Sequence, residues 1–243
     1  MNSSPWDREE MERHDAEAAA QFPGPDYRLV MEWLHELLKP RVYVEIGVYC
    51  GDTLRLAAGA EIAVGVDPAA QMPPNHPAEV RIFRTTSDEF FQSGALREIC
   101  AHGPVDLAFI DGLHLFEQVM KDFHGLARYA GPNSVIAIHD SIPLNAETST
   151  RERSTEFYTG DVWKAVACLH AHRPELRILT VPAAPTGLTL IRGFGGEGSP
   201  FPDLDPMELN RFLHLDWTYF RDNHQHFLNL APNELSTLQS FCQ

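Results

Sequence analysis

Cysteine is scarce in this sequence and follows no recognisable motif. The four cysteines, Cys50, Cys100, Cys168 and Cys242, are scattered over 243 residues without CxxC spacing. This distribution excludes a zinc ribbon and a disulfide-rich scaffold. It fits a reducing compartment, so we expect a cytoplasmic protein.

Long apolar runs are also absent. No run approaches the ~18 residues that a membrane-spanning helix requires. The first 17 residues are polar and acidic, whereas a signal peptide has a basic start and an apolar middle. We therefore expect no association with a membrane.

Basic residues are few. There are 34 Asp and Glu residues against 19 Lys and Arg residues, which gives a net charge of −15. A surface of this sign repels phosphate backbones, and no run of basic residues occurs, so nucleic acid is not an expected partner. The 44% of hydrophobic residues can supply the core of one large α/β domain.

The most informative segment is residues 42–53, which predicts a buried strand, a glycine-rich turn and the start of a helix. Its pattern is E-x-G-x-x-x-G, formed by Glu45, Gly47 and Gly51. Glycines in such a turn bring bare backbone close to a ligand, and the helix start presents N–H groups to it. We therefore expect Gly47 to leave space for a ligand. The spacing of the glycines is one residue longer than in the dinucleotide-binding fingerprint, which disfavours an NAD-dependent oxidoreductase.

Polar residues also follow four further predicted strands. Asp67 ends the second strand, and an acidic residue at this place accepts hydrogen bonds from ribose hydroxyls in nucleotide-binding sheets. Asp88, after the third strand, either contacts the ligand or caps the helix that begins at residue 89. The predicted strands and the residues that follow them are 62–66 with Asp67, 80–84 with Ser87 and Asp88, 105–110 with Asp111 and His114, and 134–138 with His139 and Asp140.

The segments F-I-D-G-x-H and V-I-A-I-H-D, about thirty residues apart, resemble a branch of the class I S-adenosylmethionine (SAM) dependent methyltransferases. That branch includes small-molecule O-methyltransferases of natural-product and sugar pathways, and the resemblance covers residues 42–140. It implies that a set of residues binds SAM. This set is Glu45, Gly47, Gly51 and Thr53 at the methionine and ribose end, Asp67 at the ribose, Ser87 and Asp88 along the adenine, and Asp111.

Two histidines are candidates for the base that removes a proton from a methyl acceptor. His114 and His139 both lie at the carboxyl ends of predicted central strands, and imidazole titrates near neutral pH. We prefer His114, because the D-G-x-H turn projects it over the cleft, whereas His139 lies nearer the sheet.

A divalent metal is a second possibility at the same place. Asp111 and Asp140 could share Mg²⁺, which would bind a substrate diol and lower the pKa of its hydroxyl. The resembled branch usually has two adjacent acidic residues at the second strand tip, and here the first of them is His139. With His139 as a third ligand, Mn²⁺ or another softer ion is favoured. Alternatively, Asp111 contacts SAM and one histidine is structural.

The fold class predicted from these elements is α/β: a Rossmann-like, doubly wound, mostly parallel sheet of seven strands with an antiparallel last strand. We expect an arm over residues 1–25, a methyltransferase domain over 26–193, and a linker with a helical extension over 194–243. The irregular segment 142–158 is predicted to be a lid or binding loop. Asp161 is predicted to cap the helix that follows it. The extension either packs on the domain or forms a homodimer contact.

These observations predict a SAM-dependent methyltransferase that acts on a small molecule, most simply on a hydroxyl. An N-methyltransferase and a non-catalytic module that binds SAM or a nucleotide are the alternatives. Clustered titratable groups speak against the module, because binding alone does not need them.

Overall fold

A seven-stranded sheet lies at the centre of the structure, a computed structural model that describes residues 8–72, 79–195 and 205–243. The strands are β1 (Val42–Ile46), β2 (Ile62–Val66), β3 (Val80–Phe83), β4 (Val105–Ile110), β5 (Ala130–His139), β6 (Arg177–Val181) and β7 (Leu188–Arg192). Their order across the sheet is β3-β2-β1-β4-β5-β7-β6. β7 runs antiparallel to both of its neighbours, and all other pairs are parallel. The predicted Rossmann-like sheet with an antiparallel last strand is confirmed.

Helices cover both faces of this sheet. They are α1 (Arg8–Gln21), α2 (Tyr27–Leu38), α3 (Ser87–Ser93), α4 (Ala95–Ile99), α5 (Phe116–Ala127), α6 (Trp163–His172), α7 (Pro206–Leu213), α8 (Trp217–Leu228) and α9 (Leu235–Cys242). One hydrophobic core contains side chains of α4, α5, α6 and α8, and the other contains side chains of α2 and α9. Each strand contributes to both cores because successive side chains point to opposite faces.

The β1 strand shows this alternation and fixes where its one acidic residue lies. Val42, Val44 and Ile46 pack in the first core, whereas Tyr43 packs in the second. Glu45 is fully buried, and its side chain bonds to that of Tyr43, two residues earlier on the same strand. The predicted strand is therefore confirmed, but its period of two places the carboxyl group of Glu45 among apolar side chains.

The terminal segments pack on the domain. In α1, Ala18 belongs to the first core, as does Phe22 directly after the helix. Trp163 of α6 contacts Phe220 and Phe227 of α8, with ring centroids 5.3 and 6.0 Å apart. The start of the predicted arm, residues 1–7, and most of the predicted linker, residues 196–204, lie outside the described residues. Within the described ranges, none of the helices has the length and apolar character needed to span a membrane.

Two boundaries differ from the sequence prediction. The chain after Thr53 forms a 3₁₀-helix over Leu54–Gly59 rather than an α-helix. β5 begins at Ala130, not at Ser134, so residues 131–133 lie within the strand. Here the Ser134 hydroxyl accepts a hydrogen bond from the Gly131 amide and donates one to the Val105 carbonyl, which ties this irregular start to β4.

The carboxyl ends of β1 and β4 meet where the strand order reverses, which is where open α/β sheets bind ligands. Gly47 adopts φ = +88° and donates its amide hydrogen to the Val66 carbonyl at 2.9 Å. A Cβ atom at Gly47 would collide with the backbone carbonyl of Asp111. The space that a side chain at Gly47 would enter is therefore occupied by the end of β4, while the Gly47 backbone itself lines the cavity at the strand tips.

We predict that Gly47→Ala destabilises the fold. The substitution forces a side chain into the left-handed region and against Asp111, and strain of this kind costs about 2 kcal/mol or more. Urea unfolding would measure the loss. The matched control is Gly59→Ala, because a Cβ atom at Gly59 meets nothing within 4 Å. Equal stabilities of the two variants would contradict this account of the strand tips.

Candidate active site

A cavity of about 1110 Å³ opens at the carboxyl ends of the central strands. Small-molecule sites usually occupy ~300–1,000 Å³, so its size suits a cofactor together with an acceptor. The predicted site residues that line it are Gly47, Thr53, Asp67, Ser87, Asp88, Asp111, His114, His139 and Asp140. Glu45 and Gly51 are not among its lining residues.

Glu45 lies behind the cavity wall and holds one residue of that wall. Its carboxylate accepts hydrogen bonds from the Thr53 hydroxyl at 2.8 Å and from the Tyr43 hydroxyl at 2.6 Å. Burial raises the pKa of Glu45 to about 8. Gly51 also lies outside the cavity lining, and a Cβ atom at Gly51 would collide with the sulfur of Met72. Both residues therefore shape the turn rather than line the cavity.

Asp67 lines the cavity and ties the glycine-rich turn to β2. Its Oδ2 atom accepts hydrogen bonds from the amides of Val48 at 3.0 Å and Tyr49 at 2.8 Å. Its Oδ1 atom accepts one from the Ala69 amide at 2.7 Å. These bonds fix the carboxylate at the place where the sequence predicts a ribose contact.

The third strand tip carries a polar cluster around Gln118. Its side-chain Nε2 atom lies 3.0 Å from Ser87 Oγ, 3.2 Å from Asp88 Oδ1 and 3.0 Å from Asp122 Oδ1, so its two hydrogens are shared among three acceptors. Burial raises the pKa of Asp122 to about 6. Gln118 and Asp122 also line the cavity, and sequence reasoning missed them. Their i, i+4 spacing, which places both polar side chains on one face of α5, was the signal that could have revealed them.

Asp88 is not the cap of α3, contrary to one of the two alternatives raised for it. The N-cap is Thr86, whose hydroxyl accepts from the Glu89 amide while Glu89 reaches back to the Thr86 amide. This reciprocal pair is a capping box. Asp88 lies within the first turn, where its Oδ2 atom accepts a bond from Lys121 at 3.1 Å.

Four titratable side chains converge at the tips of β4 and β5. His114 Nε2 lies 3.2 Å from Asp111 Oδ1 and 3.1 Å from Asp140 Oδ2. His139 Nδ1 lies 3.2 Å and 3.4 Å from the same two oxygens. We call these four residues the carboxylate–imidazole cluster. His114 and Asp140 hold φ values of +56° and +58°, a left-handed backbone that aims both side chains into the group.

The carboxylates of this cluster stabilise the charged forms of both imidazoles, and the imidazoles stabilise the charged form of Asp111. Burial lowers the pKa of His114, but the charge of Asp140 and the hydrogen bond to Asp111 outweigh it and raise the pKa to about 9. His139 is raised to a pKa of about 10 in the same way. Burial acts to raise the pKa of Asp111, yet the His139 charge and bonds to both histidines keep it well below its usual range. Beside Asp111 and Asp140, the pKa values of both histidines therefore lie above the near-neutral range that the sequence predicted.

The two histidines differ in access. The His139 ring lies 4.1 Å from the Tyr27 ring, and its side chain is 8% exposed. The His114 side chain is 23% exposed. His114 Nδ1 lies 3.1 Å from the Tyr158 carbonyl oxygen, which can only accept, so Nδ1 carries a hydrogen and Nε2 faces the carboxylates. His114 is the more accessible imidazole, as the sequence predicted.

Thr186 holds the Asp140 carboxylate of the cluster by a hydrogen bond. Its hydroxyl donates to Asp140 Oδ1 at 2.6 Å, and it is buried. Tyr27, Tyr158 and Thr186 all line the cavity, and sequence reasoning did not select them for the site. They lie on three separate segments of the chain, and no local sequence motif indicates any of them as a site residue.

The cluster has a donor set that fits a divalent cation. One ligand atom each from Asp111, His139 and Asp140 lies within 4.8 Å of the others. Within the described ranges, this is the one group of three or more His, Cys, Asp or Glu residues close enough to hold a metal ion. Two carboxylates and an imidazole suit Mn²⁺ or Fe²⁺ better than Mg²⁺, which prefers oxygen ligands alone.

Asp161 does not cap α6 with its side chain, contrary to the sequence prediction. The N-cap of α6 is Val162. The Asp161 carboxylate instead accepts a hydrogen bond from the Phe116 amide at 2.8 Å, at the first residue of α5. A helix start offers unpaired N–H groups, so this buried carboxylate caps a neighbouring helix rather than its own.

Comparisons with known proteins find one matching family and several solved structures that are similar to this chain. Residues 44–141 match the protein family described as "Methyltransferase domain". No curated protein sequence matches the chain. Among solved structures, the cofactor-bound protein Rv0187 from MTB is 16% identical, with a TM-score of 0.52, and covers 78% of this chain and 92% of its own.

Two further solved structures are similar at a lower level. The O-methyltransferase from Bacillus cereus in complex with SAH is 17% identical over 77% of this chain and 91% of its own, with a TM-score of 0.49. TomG, an O-methyltransferase from Streptomyces achromogenes involved in tomaymycin synthesis, is 15% identical over 78% of this chain and 91% of its own, also with a TM-score of 0.49.

We predict that Glu45→Gln alters how stability depends on pH. Between the ordinary pKa of 4.5 and the folded value of about 8, the folded chain keeps a proton that the unfolded chain releases. The stability contributed by Glu45 is therefore complete below pH 4.5 and is lost as the pH rises to 8, by up to ~1.4 kcal/mol per pH unit. Glutamine does not ionise, so the variant should gain stability relative to the parent chain from pH 5 to pH 8.

Denaturant unfolding at several pH values would measure this difference. Glu36→Gln is the control, because Glu36 is exposed on α2. A stability difference that stays constant from pH 5 to pH 8 for Glu45→Gln would refute the buried, proton-bound carboxyl.

Proposed function

We propose that the chain is a class I methyltransferase that uses SAM, and that it methylates a hydroxyl of a small molecule such as a natural product or a sugar; the match of residues 44–141 to a methyltransferase family supports this. The observation that carries this proposal is the carboxylate–imidazole cluster, which lies at one side of a cavity large enough for two ligands. Binding alone does not need four titratable groups in mutual contact.

The proposed SAM site runs along the tips of β1, β2 and β3. Asp67 would accept bonds from the ribose hydroxyls, since its carboxylate is already fixed at the cavity wall. Thr53 and the Gly47 backbone would lie beside the methionine end. Ser87 and Asp88, held by Gln118, would lie along the adenine. Glu45 and Gly51 would contribute by holding the turn in place.

His114 is the proposed base. Methyl transfer from SAM is an in-line displacement at a sulfonium, and a hydroxyl acceptor must lose its proton in the process. His114 presents Nε2 to the cluster because Nδ1 is engaged by the Tyr158 carbonyl. The charges of Asp140 and Asp111 raise the pKa of His114, so a bound group that offset these charges would make the base more readily available. His139, which is more deeply buried, would be a ligand or a structural partner.

We further propose that Asp111, Asp140 and His139 hold a divalent cation, with Mn²⁺ the best fit to the donor set. Such an ion lowers the pKa of a bound hydroxyl and orients it. It would also offset the two carboxylate charges that raise the pKa of His114. Thr186 would keep Asp140 oriented toward the ion.

The function is tested with His114→Ala. A metabolite screen for methyl transfer identifies an acceptor for the parent chain, and the variant should then turn over roughly 10²–10⁴-fold more slowly, the usual scale for loss of a general base. Calorimetry should show unchanged SAM binding by the variant and no NAD binding by either protein. Full turnover by His114→Ala, with His139→Ala inactive, would exchange the roles of the two histidines.

The metal is tested by titration. The parent chain should bind Mn²⁺ in calorimetry, and Asp140→Asn should weaken this binding by at least about 10-fold. EDTA should abolish methyl transfer while SAM binding persists. Asp222→Asn, an exposed change on α8, is the control for lost charge. Undiminished turnover in excess EDTA, with no bound Mn²⁺, would make Asp111 and Asp140 polar residues of the pocket only.

A further inference from the structure

The segment between β5 and α6 contains a loop that reaches over the cavity. Its two ends are joined where the amide and hydroxyl of Thr159 both donate to the Thr148 carbonyl at 2.9 Å. Residues 149–158, which we call the loop apex, project beyond this junction. Five residues of the apex line the cavity: Arg151, Arg153, Glu156, Phe157 and Tyr158. The predicted lid or binding loop thus forms one wall of the site.

Arg151 fastens the apex to α5. Its guanidinium forms a bidentate pair with Glu117, at 2.6 Å and 3.0 Å, and bonds to Asp161 Oδ2 at 2.6 Å. Paired, planar contacts of this kind fix orientation as well as distance. Glu117 lies in the first turn of α5, directly after the turn that carries His114.

Tyr158 connects the apex to the carboxylate–imidazole cluster. Its carbonyl accepts the Nδ1 hydrogen of His114 at 3.1 Å, and its ring stacks on the imidazole at 5.9 Å. The Tyr158 hydroxyl in turn donates to the Arg151 carbonyl at 2.8 Å. The orientation of His114 therefore depends on where the apex holds Tyr158, and the partner of one imidazole nitrogen determines which nitrogen faces the reaction.

We propose that Arg151 is a positioning residue: through its pair with Glu117 it holds the loop apex so that the Tyr158 carbonyl orients His114. This inference rests on the proposed function, because it assigns the orientation a role in methyl transfer. Arg151 acts on the reaction through Tyr158 and not by contact with the reacting atoms.

The contacts separate this role from a purely structural one. Without Arg151, Asp161 keeps the Phe116 amide at 2.8 Å and Lys164 Nζ at 3.1 Å, so no buried carboxylate is left unpaired. The Arg151 side chain is 37% exposed and that of Glu117 is 48% exposed. Ion pairs this exposed add little to global stability. Loss of Arg151 should therefore affect the apex and His114 much more than the fold.

The experiment compares Arg151→Gln, Glu117→Gln and the double variant with the parent chain. We expect kcat to fall by about 10–100-fold in each single variant, the scale of a small misplacement of a reacting group. SAM affinity and the thermal midpoint should change little. The double variant should be no slower than either single variant, because both remove one interaction. Arg151→Lys, which keeps the charge but not the paired geometry, should be intermediate.

Two readouts do not depend on activity. Hydrogen exchange of residues 149–158 should accelerate in Arg151→Gln, and the Nδ1 signal of the His114 ring in ¹⁵N spectra should shift because the Nδ1 hydrogen loses its acceptor, the Tyr158 carbonyl. Arg13→Gln is the matched control, because it removes an exposed ion pair, Arg13–Glu147 at 3.6 Å, that reaches the same loop outside the apex.

The outcomes distinguish this inference from the proposed function. Unchanged exchange and unchanged His114 signals in Arg151→Gln would overturn the positioning role, as would a kcat equal to that of the parent chain or an equal loss in Arg13→Gln. A parent chain that binds no SAM and methylates no acceptor would overturn the proposed function instead, while the exchange and ring signals would still report on the apex.

Discussion

The close contact between the turn after β1 and the end of β4 is the constraint on which the site depends. Gly47 can approach the Asp111 backbone only because it has no Cβ atom and adopts a positive φ. The Asp111 amide donates to the Ile46 carbonyl at 2.8 Å, which joins the two tips. Asp111 is therefore placed beside the glycine-rich turn, and the proposed cofactor and acceptor sites share one wall.

The placement of Asp111 brings two carboxylates together at the tips of β4 and β5, and their charges must be balanced. Asp140, directly after β5, is 5% exposed and lies close to Asp111, and two carboxylates in such a place require compensation. His114 and His139 supply it here, at 3.1–3.4 Å. A divalent cation would supply it in another way and would free the imidazole of His114. The same four side chains thus balance one another's charge and carry the proposed chemistry.

The strand tips could be predicted from sequence because each is a local pattern: an apolar run of the right length followed by Gly47, Asp67, Asp111 or His139. Contacts between distant segments could not. Asp161 caps α5 rather than its own helix because the fold brings α5 beside it, 45 residues away in sequence. Glu45 faces an apolar layer because the period of β1 directs it there, and the motif alone suggested a ligand contact. Tyr158 and Gln118 lacked a motif.

A crystal structure of the protein grown with Mn²⁺ and S-adenosylhomocysteine, the demethylated product of SAM, tests the central claim most directly. The account predicts the ribose at Asp67, the sulfur atom on the Asp111 side of the cavity facing His114, and an anomalous manganese peak among Asp111, His139 and Asp140. A nucleoside bound away from Asp67, or a sulfur atom directed away from the carboxylate–imidazole cluster, would contradict it.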